Sequence, residues 1–300
     1  EMVPTDIPAV NIALSGTICG GLTSGLTTIA GPSKHFKTAF GLLMMKAYLQ
    51  SKPNAIALFY DSEFGTPQKY FETFDIDMSR VLHSPIMDVE QLKIDIVKQL
   101  DELEKEDEVY IFVDSIGNLA SHKEVQDALD GKMVGDMTRA KSIKSLFRAV
   151  TPYLKSKNIP MVVVNHTYDS QEMFSKPVVS GGTGIYYSSD TIWIVGRRQQ
   201  KEGTDVTGYQ FVINVEKSRY VKEKSKIPVS VSFDGGIDKW SGLLDMALDA
   251  GVISRTGAWY QLTDLETGEI IEKKYRAKEL VGNDLWNPIL KSESFKNYVK

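Results

Sequence analysis

Gly31, Pro32, Ser33, Lys34, His35, Phe36, Lys37 and Thr38 form a run that opens with glycine and closes with a Lys-Thr pair. The run follows an apolar strand and opens a helix. In that context backbone N–H groups turn inward around phosphate oxygens. The positive end of the helix dipole adds to the attraction. Lys37 is placed for the β- and γ-phosphates of a nucleoside triphosphate, and the Thr38 hydroxyl for Mg²⁺. The general pattern has glycine where this chain has Phe36, so Phe36 must find dihedrals that glycine adopts at less cost. This octamer alone does not decide the chemistry.

Two carboxylates add to it. Asp114 ends the apolar run 109–113, and a buried strand that delivers an acid to a metal's outer shell is a Walker-B signature. Glu63 lies two residues past Asp61 at the end of the run 55–60, where it can orient or deprotonate a water. Taken singly, the plainer readings are a solvated strand end for Asp114 and an exposed loop acid for Glu63.

These groups need elements to position them. Residues 26–30 read as a strand, and the apolar runs 55–60, 109–113, 161–164 and 191–195 predict further strands of a mostly parallel sheet covered on both faces. Helices such as 37–50 would supply right-handed crossovers. Polar residues gather just past the strands' C-terminal ends, the edge where open parallel sheets bind ligands. After Gly208 the pattern changes. Strands at 209–215 and 227–233 are joined by a basic connector. A helix at 241–250, a hairpin of 259–262 with 270–275 and a helix at 285–299 follow. The predicted class is α/β, with a core over 1–237 and a small α+β C-terminal subdomain over 238–300.

The chain has 300 residues, 42% hydrophobic and 25% charged, which excludes wholesale disorder and collagen-like sequence. No tandem repeat points to a solenoid or propeller. Cys19 is the one cysteine, so no internal disulfide forms and a reducing cytoplasm is expected. No apolar run approaches the ~20 residues of a membrane helix. The chain starts at Glu1 rather than Met, so an N-terminal piece is expected to be missing. Net charge is −4, which excludes a uniformly basic nucleic-acid binder. The charge is uneven, however. Residues 88–108 carry nine acids and three bases, 139–157 six bases and no acid, and 197–226 eight bases and four acids. Solvated helix faces account for any one of these segments. Two basic segments in an acidic chain suggest an anion held in a groove.

The residues and their order resemble the RecA-type recombinases, and within them the UvsX branch found in T-even-like bacteriophages. The resemblance rests on Asn-Ile-Ala-Leu-Ser-Gly (11–16), the phosphate loop (30–38), Phe-Tyr-Asp-Ser-Glu-Phe-Gly (59–65) and Asp-Ser-Ile-Gly-Asn-Leu-Ala (114–120). It continues through Asp-Met-Thr-Arg-Ala-Lys (136–141), Asn-His-Thr-Tyr (165–168), Gln-Glu-Met-Phe-Ser-Lys (171–176), Val-Glu-Lys-Ser-Arg (215–219), Phe-Asp-Gly-Gly-Ile-Asp (233–238) and Gly-Ala-Trp-Tyr (257–260). The phenylalanine within the phosphate loop is itself a feature of that branch.

The resemblance implies a P-loop ATPase core that binds ATP and Mg²⁺, polymerises on single-stranded DNA and pairs it with homologous duplex DNA. It implies nucleotide contacts from Gly31 through Ala39, Tyr70 against the adenine, and metal contacts from Thr38 and Asp114. It makes Glu63 the water-activating acid, His166 the γ-phosphate sensor, and Lys217 and Arg219 cations supplied to a neighbour's nucleotide. Two disordered DNA loops are expected near 122–138 and 167–189, with Arg139, Lys141, Ser142, Met173, Phe174, Gly181 and Gly182 as DNA contacts. Glycine N–H groups and exposed aromatics suit phosphates and bases. A single-strand-binding protein and a recombination mediator are expected partners, and the cytoplasm, that of a host cell if phage-encoded, is the expected location. An N-terminal segment that docks on a neighbouring protomer would be the missing piece. The rival readings are a hexameric helicase on the same fold and a non-hydrolysing paralogue that assists assembly.

Overall fold

The computed structural model describes residues 1–66, 68–132, 137–171 and 173–300. The apolar runs become strands β1 (Gly25–Ala30), β2 (Ile56–Asp61), β4 (Val109–Asp114) and β5 (Pro160–Asn165), with a short β3 (Val81–Pro85) between β2 and β4. Next come β6 (Thr167–Asp169), β7 (Pro177–Val179), β8 (Thr191–Glu202), β9 (Asp205–Lys217), β10 (Lys226–Ser232) and β11 (Gly236–Ile237). A nine-stranded sheet runs β11-β10-β9-β8-β1-β5-β4-β2-β3. Pairing is parallel from β8 through β1, β5, β4 and β2 to β3. It is antiparallel from β8 to β11.

The helices are α1 (Pro8–Ser15), α2 (Lys37–Ser51), α3 (Gln68–Thr73), α4 (Val89–Glu102), α5 (His122–Leu129), α6 (Thr138–Ser156) and α7 (Thr183–Ser188). The C-terminal region adds α8 (Leu243–Asp249), a three-stranded sheet of β12 (Ile253–Thr256), β13 (Trp259–Thr263) and β14 (Ile270–Tyr275), then α9 (Asn283–Lys291) and α10 (Glu293–Val299). Successive residues of a strand point to opposite faces. Phe59, Tyr110, Phe112, Val162 and Val164 therefore join one core with α1, α2 and the C-terminal region. Leu58, Ile111, Val113, Met161 and Val163 join another with Leu92 and Ile96 of α4 and Leu146 and Phe147 of α6. Both faces are covered, which is why the runs lack alternation. Each fully buried large side chain contributes about 1.5–3 kcal/mol. Among the described residues no helix is long and apolar enough to cross a membrane.

Several expectations change. The stretches 122–138 and 167–189 are not disordered over their described parts. Ser121 and Glu124 form a capping box that starts α5, β6 pairs with β7 in antiparallel register, and α7 follows. The expected helix 285–299 is two helices, because the Ser292 hydroxyl accepts the Phe295 N–H and caps α10. The strand expected at 191–195 continues to Glu202, where its polar residues pair with β9 in an exposed hairpin. Edge strand β3 is short, partly exposed and closed by Pro85, so its sequence carries no apolar run.

Candidate active site

The phosphate loop joins β1 to α2. Phe36 is the N-cap of α2, at φ 64° and ψ 15° in the left-handed region. That conformation costs a non-glycine residue about 1–2 kcal/mol. The Phe36 ring offsets the cost. It stacks on Phe211 with centroids 4.7 Å apart and meets Phe40 edge-on at 5.3 Å. Pairs of this kind are worth ~0.5–1.5 kcal/mol beyond their burial. The Phe36 side chain has no acceptor to cap the helix, so the first-turn N–H groups of α2 suit an anionic ligand.

Lys37 folds back over the loop and donates to the carbonyls of Gly31 and Pro32, each at 2.6 Å. It is 6% exposed. Burial pulls its pKa down to about 8, against the pull of Asp114 and Glu63. An anion brought to this ammonium would favour its charged form. The Thr38 hydroxyl donates to Asp114 Oδ2 at 2.6 Å. Asp114 is 2% exposed, and its Oδ1 has no hydrogen-bond partner among the described residues. Burial raises the Asp114 pKa to about 6 despite the Thr38 hydrogen bond. A buried carboxylate with one bare oxygen beside a hydroxyl suits a hard cation. Among the described residues no group of three or more His, Cys, Asp or Glu could hold a metal by itself. Mg²⁺ fits such a site, because it takes few protein ligands and shares substrate phosphates.

The cavity over the loop measures about 400 Å³ and is lined by residues 33–39 with Glu63, Tyr70, Asp114 and His166. Apart from Gly31 and Pro32, the expected nucleotide and metal residues thus converge on one pocket. Asp61 positions Glu63: its Oδ1 accepts the N–H groups of Glu63 and Phe64, each at 3.0 Å. Glu63 Oε1 accepts from Asn118 Nδ2 at 2.9 Å and from the Ser115 hydroxyl at 3.2 Å. His166 Nε2 lies 2.9 Å from Asn118 Oδ1 and 3.9 Å from Glu63 Oε1. Burial lowers the His166 pKa, assisted by the charge on Lys37. Sequence reasoning gave Ser115 and Asn118 no role. Their signal was position, immediately beyond the C-terminal end of β4.

Lys217 and Arg219 lie elsewhere. Strand β9 ends at Lys217, so Arg219 is past the strand, yet both line a second cavity of about 520 Å³ with Lys144, Arg148 and Lys155. The two cavities share no lining residue. Lys217 Nζ donates to the Tyr186 carbonyl at 2.7 Å and sits 5.2 Å from the Tyr186 ring centroid. Arg219 Nε and Lys155 Nζ each lie 2.8 Å from the Asp190 carboxylate.

The expected DNA contacts divide. Arg139 Nε donates to the Leu119 carbonyl at 2.6 Å, and its Nη2 donates to the carbonyls of Ile116 and Gly117 at 3.0 and 3.1 Å. The Ser142 hydroxyl donates to Glu90 at 2.6 Å. Both side chains therefore brace the protomer instead of standing open to a phosphate, because α6 packs its first turn against the 116–119 turn and α4. Lys141 is exposed. Met173 and Phe174 are 96% and 79% exposed, so Phe174 is no core anchor. Gly181 and Gly182 have φ of 97° and 80° and lie over Ile143 and Ala140 of α6. At Gly184 a Cβ would come within 2.8 Å of Lys144, so the glycine lets α7 lie against α6.

Comparison with known proteins agrees with this geometry. Residues 1–238 match the RecA N-terminal domain, and residues 240–299 match the C-terminal domain of the bacteriophage T4 recombination and repair protein. The recombination and repair protein of Enterobacteria phage T4 is 55% identical over 305 residues, covering 100% of this chain and 78% of that protein. Protein RecA of Thermotoga neapolitana is 28% identical over 274 residues, covering 90% of this chain and 75% of that protein. The mitochondrial DNA repair protein recA homolog of Dictyostelium discoideum is 26% identical over 309 residues, covering 99% and 66%. With a phosphate loop, an acid-bearing strand and both family matches spanning nearly every residue, the chain belongs to the RecA family, as a DNA-dependent ATPase and strand-exchange recombinase of the UvsX type.

Proposed function

We propose that the protein assembles as a helical filament on single-stranded DNA, pairs it with homologous duplex DNA, and completes each ATPase site across the junction of two protomers. One observation carries the reading. The lysine, hydroxyl and acids that suit a nucleotide share one cavity, while the cation pair Lys217 and Arg219 lines another. A protomer alone would then hold half a site, and assembly on DNA would bring one protomer's cations to the next protomer's nucleotide.

Within the first half, the loop N–H groups and Lys37 bind the phosphates, and Tyr70 lies against the base. Thr38 and Asp114 would hold Mg²⁺, which when bound neutralises charge developing on the phosphate oxygens. Glu63 takes a proton from the attacking water as its oxygen bonds to the γ-phosphorus and the bond to the leaving β-phosphate oxygen breaks. His166 reports the γ-phosphate to the β6–β7 segment. On the DNA side, Met173 and Phe174 supply apolar surface for bases, and Lys141 with the Gly181-Gly182 backbone supplies phosphate contacts. Arg139 and Ser142 support that surface from beneath. A single-strand-binding protein and a mediator are the further partners proposed, since exposed single strands must be cleared before a filament grows. The proposed place of action is the host cytoplasm.

Glu63→Gln tests the hydrolytic assignment. The variant should bind ATP and single-stranded DNA normally and hydrolyse roughly 10²–10⁴ times more slowly, because it keeps the shape and loses the base. Hydrolysis at the wild-type rate would remove Glu63 from this role.

A further inference from the structure

The turn 116–118 after β4 carries an exposed asparagine that touches both groups assigned to hydrolysis. A carboxylate only accepts hydrogen bonds, so the Asn118 amide must turn its NH₂ to Glu63 Oε1, 2.9 Å away. Its Oδ1 then faces His166 Nε2 at 2.9 Å and can only accept. The proton of a neutral His166 ring therefore lies on Nε2. This amide thus shares the direction of the acid with the Ser115 hydroxyl, which donates to the same oxygen at 3.2 Å, and sets the tautomer of the imidazole.

The backbone beneath Asn118 is held from two sides. A Cβ at Gly117 would stand 2.5 Å from His166 Cδ2 and 3.0 Å from Asn165 Oδ1, so this glycine lets the turn lie directly against the histidine. From the other side, Arg139 at the start of α6 donates to the carbonyls of Ile116, Gly117 and Leu119. The same helix runs under Gly181 and Gly182 of the proposed DNA surface.

We propose that Asn118 is a positioning residue of the ATPase site, which orients Glu63 and holds His166 with its proton on Nε2, and that Arg139 ties this bridge to the DNA-facing helix. The inference rests on the reading of Glu63 as the base. It makes Arg139 a link between α6 and the acid, a role separate from any phosphate contact. It also explains why Asn118 needs no burial: its work lies in two directed hydrogen bonds.

The test compares Asn118→Ala and Asn118→Asp with Glu63→Gln in the full chain. Asn118→Ala should lower the DNA-stimulated kcat roughly 10–100-fold, the usual cost of removing a partner that orients a reacting group. KM for ATP, single-strand affinity and Tm should stay near wild type, because the side chain is exposed. Asn118→Asp, equal in size but offering Glu63 an acceptor, should lose at least as much. Nitrogen-15 NMR should show His166 as the Nε2–H tautomer in wild type and as a mixture in Asn118→Ala, its signals assigned by their loss in His166→Gln. An unchanged kcat and tautomer in Asn118→Ala, while Glu63→Gln is inactive, overturns the positioning role alone. A kcat loss matched by equal changes in KM and Tm also overturns it, in favour of a structural role. Full activity in Glu63→Gln overturns the base assignment and this inference with it.

Discussion

The two cavities beside the central sheet treat their cations in opposite ways. In the first, Lys37 is 6% exposed and bonded to two loop carbonyls, and burial draws its pKa down to about 8. In the second, the buried group is the acid. The Asp190 side chain is 8% exposed, whereas those of Arg219 and Lys155 are 65% and 41% exposed. A buried ammonium beside a bare carboxylate oxygen is a receptor already shaped for a phosphate and its metal. The exposed cations Arg219 and Lys155 share one buried carboxylate, which keeps Lys155 as its partner if Arg219 leaves. A triphosphate presented by a neighbour carries more charge than Asp190 and could draw Arg219 across. In the proposed filament, tight binding would belong to one protomer and rate control to the contact between two.

The sharpest way to break this contrast is at Lys37. Lys37→Ala should lower ATP hydrolysis on the order of 10³-fold and weaken nucleotide binding, measured by turnover and by fluorescent-nucleotide titration. A mild effect would mean that the first cavity is no finished receptor.

Asp114→Asn sharpens the contrast through stability. The Asp114 pKa is raised from 3.8 to about 6, so the folded protein holds a proton there that the unfolded chain releases between those values. At neutral pH the buried charge therefore opposes folding by about 3 kcal/mol, each pKa unit being ~1.4 kcal/mol. Without nucleotide or Mg²⁺, Asp114→Asn should gain up to about that amount near pH 7.5. The gain should shrink as pH falls through 6 and vanish near 4, as read by urea denaturation across pH. Its Mg²⁺-dependent hydrolysis should fall at the same time. No gain at pH 7.5 would mean that the carboxylate is not strained.

A smaller effect separates two cations of α6. Lys141→Ala should reduce the slope of log affinity for single-stranded DNA against log salt by about 0.7 and leave Tm unchanged. Arg139→Ala should instead lower stability by ~1–3 kcal/mol, because it strands buried carbonyls. The reverse pattern would return Arg139 to the DNA surface.

These α6 residues mark how far the sequence could be read. The sheet was legible because residues such as Phe112 and Val113 fill opposite cores, leaving β4 apolar up to Asp114. The pocket was legible because its parts sit at strand ends, in fixed order. Arg139 reads as a phosphate contact in the sequence because a basic residue at a helix start looks the same whether it meets a phosphate or three carbonyls. Asn118 was overlooked because its partners, Glu63 and His166, are 55 and 48 residues away in sequence. The conformational cost of Phe36 was legible, but not what offsets it, because its stacking partner Phe211 lies on a distant strand. Strand β3 and the β6–β7 hairpin were missed because short edge strands carry little apolar pattern.

The division of labour between the cavities is tested most directly by mixing two inactive proteins. Lys217→Ala lacks a cation of the second cavity, and Glu63→Gln lacks the acid of the first. Each alone should hydrolyse ATP roughly 10³-fold or more below wild type on single-stranded DNA. In an equal mixture, some junctions would join an intact Glu63 pocket to an intact Lys217 face, so hydrolysis should partly return, to roughly a quarter of wild type if the two assemble at random. A mixture as inactive as either variant, while labelled protomers demonstrably share filaments, would contradict the claim that one protomer's cations complete the next protomer's site.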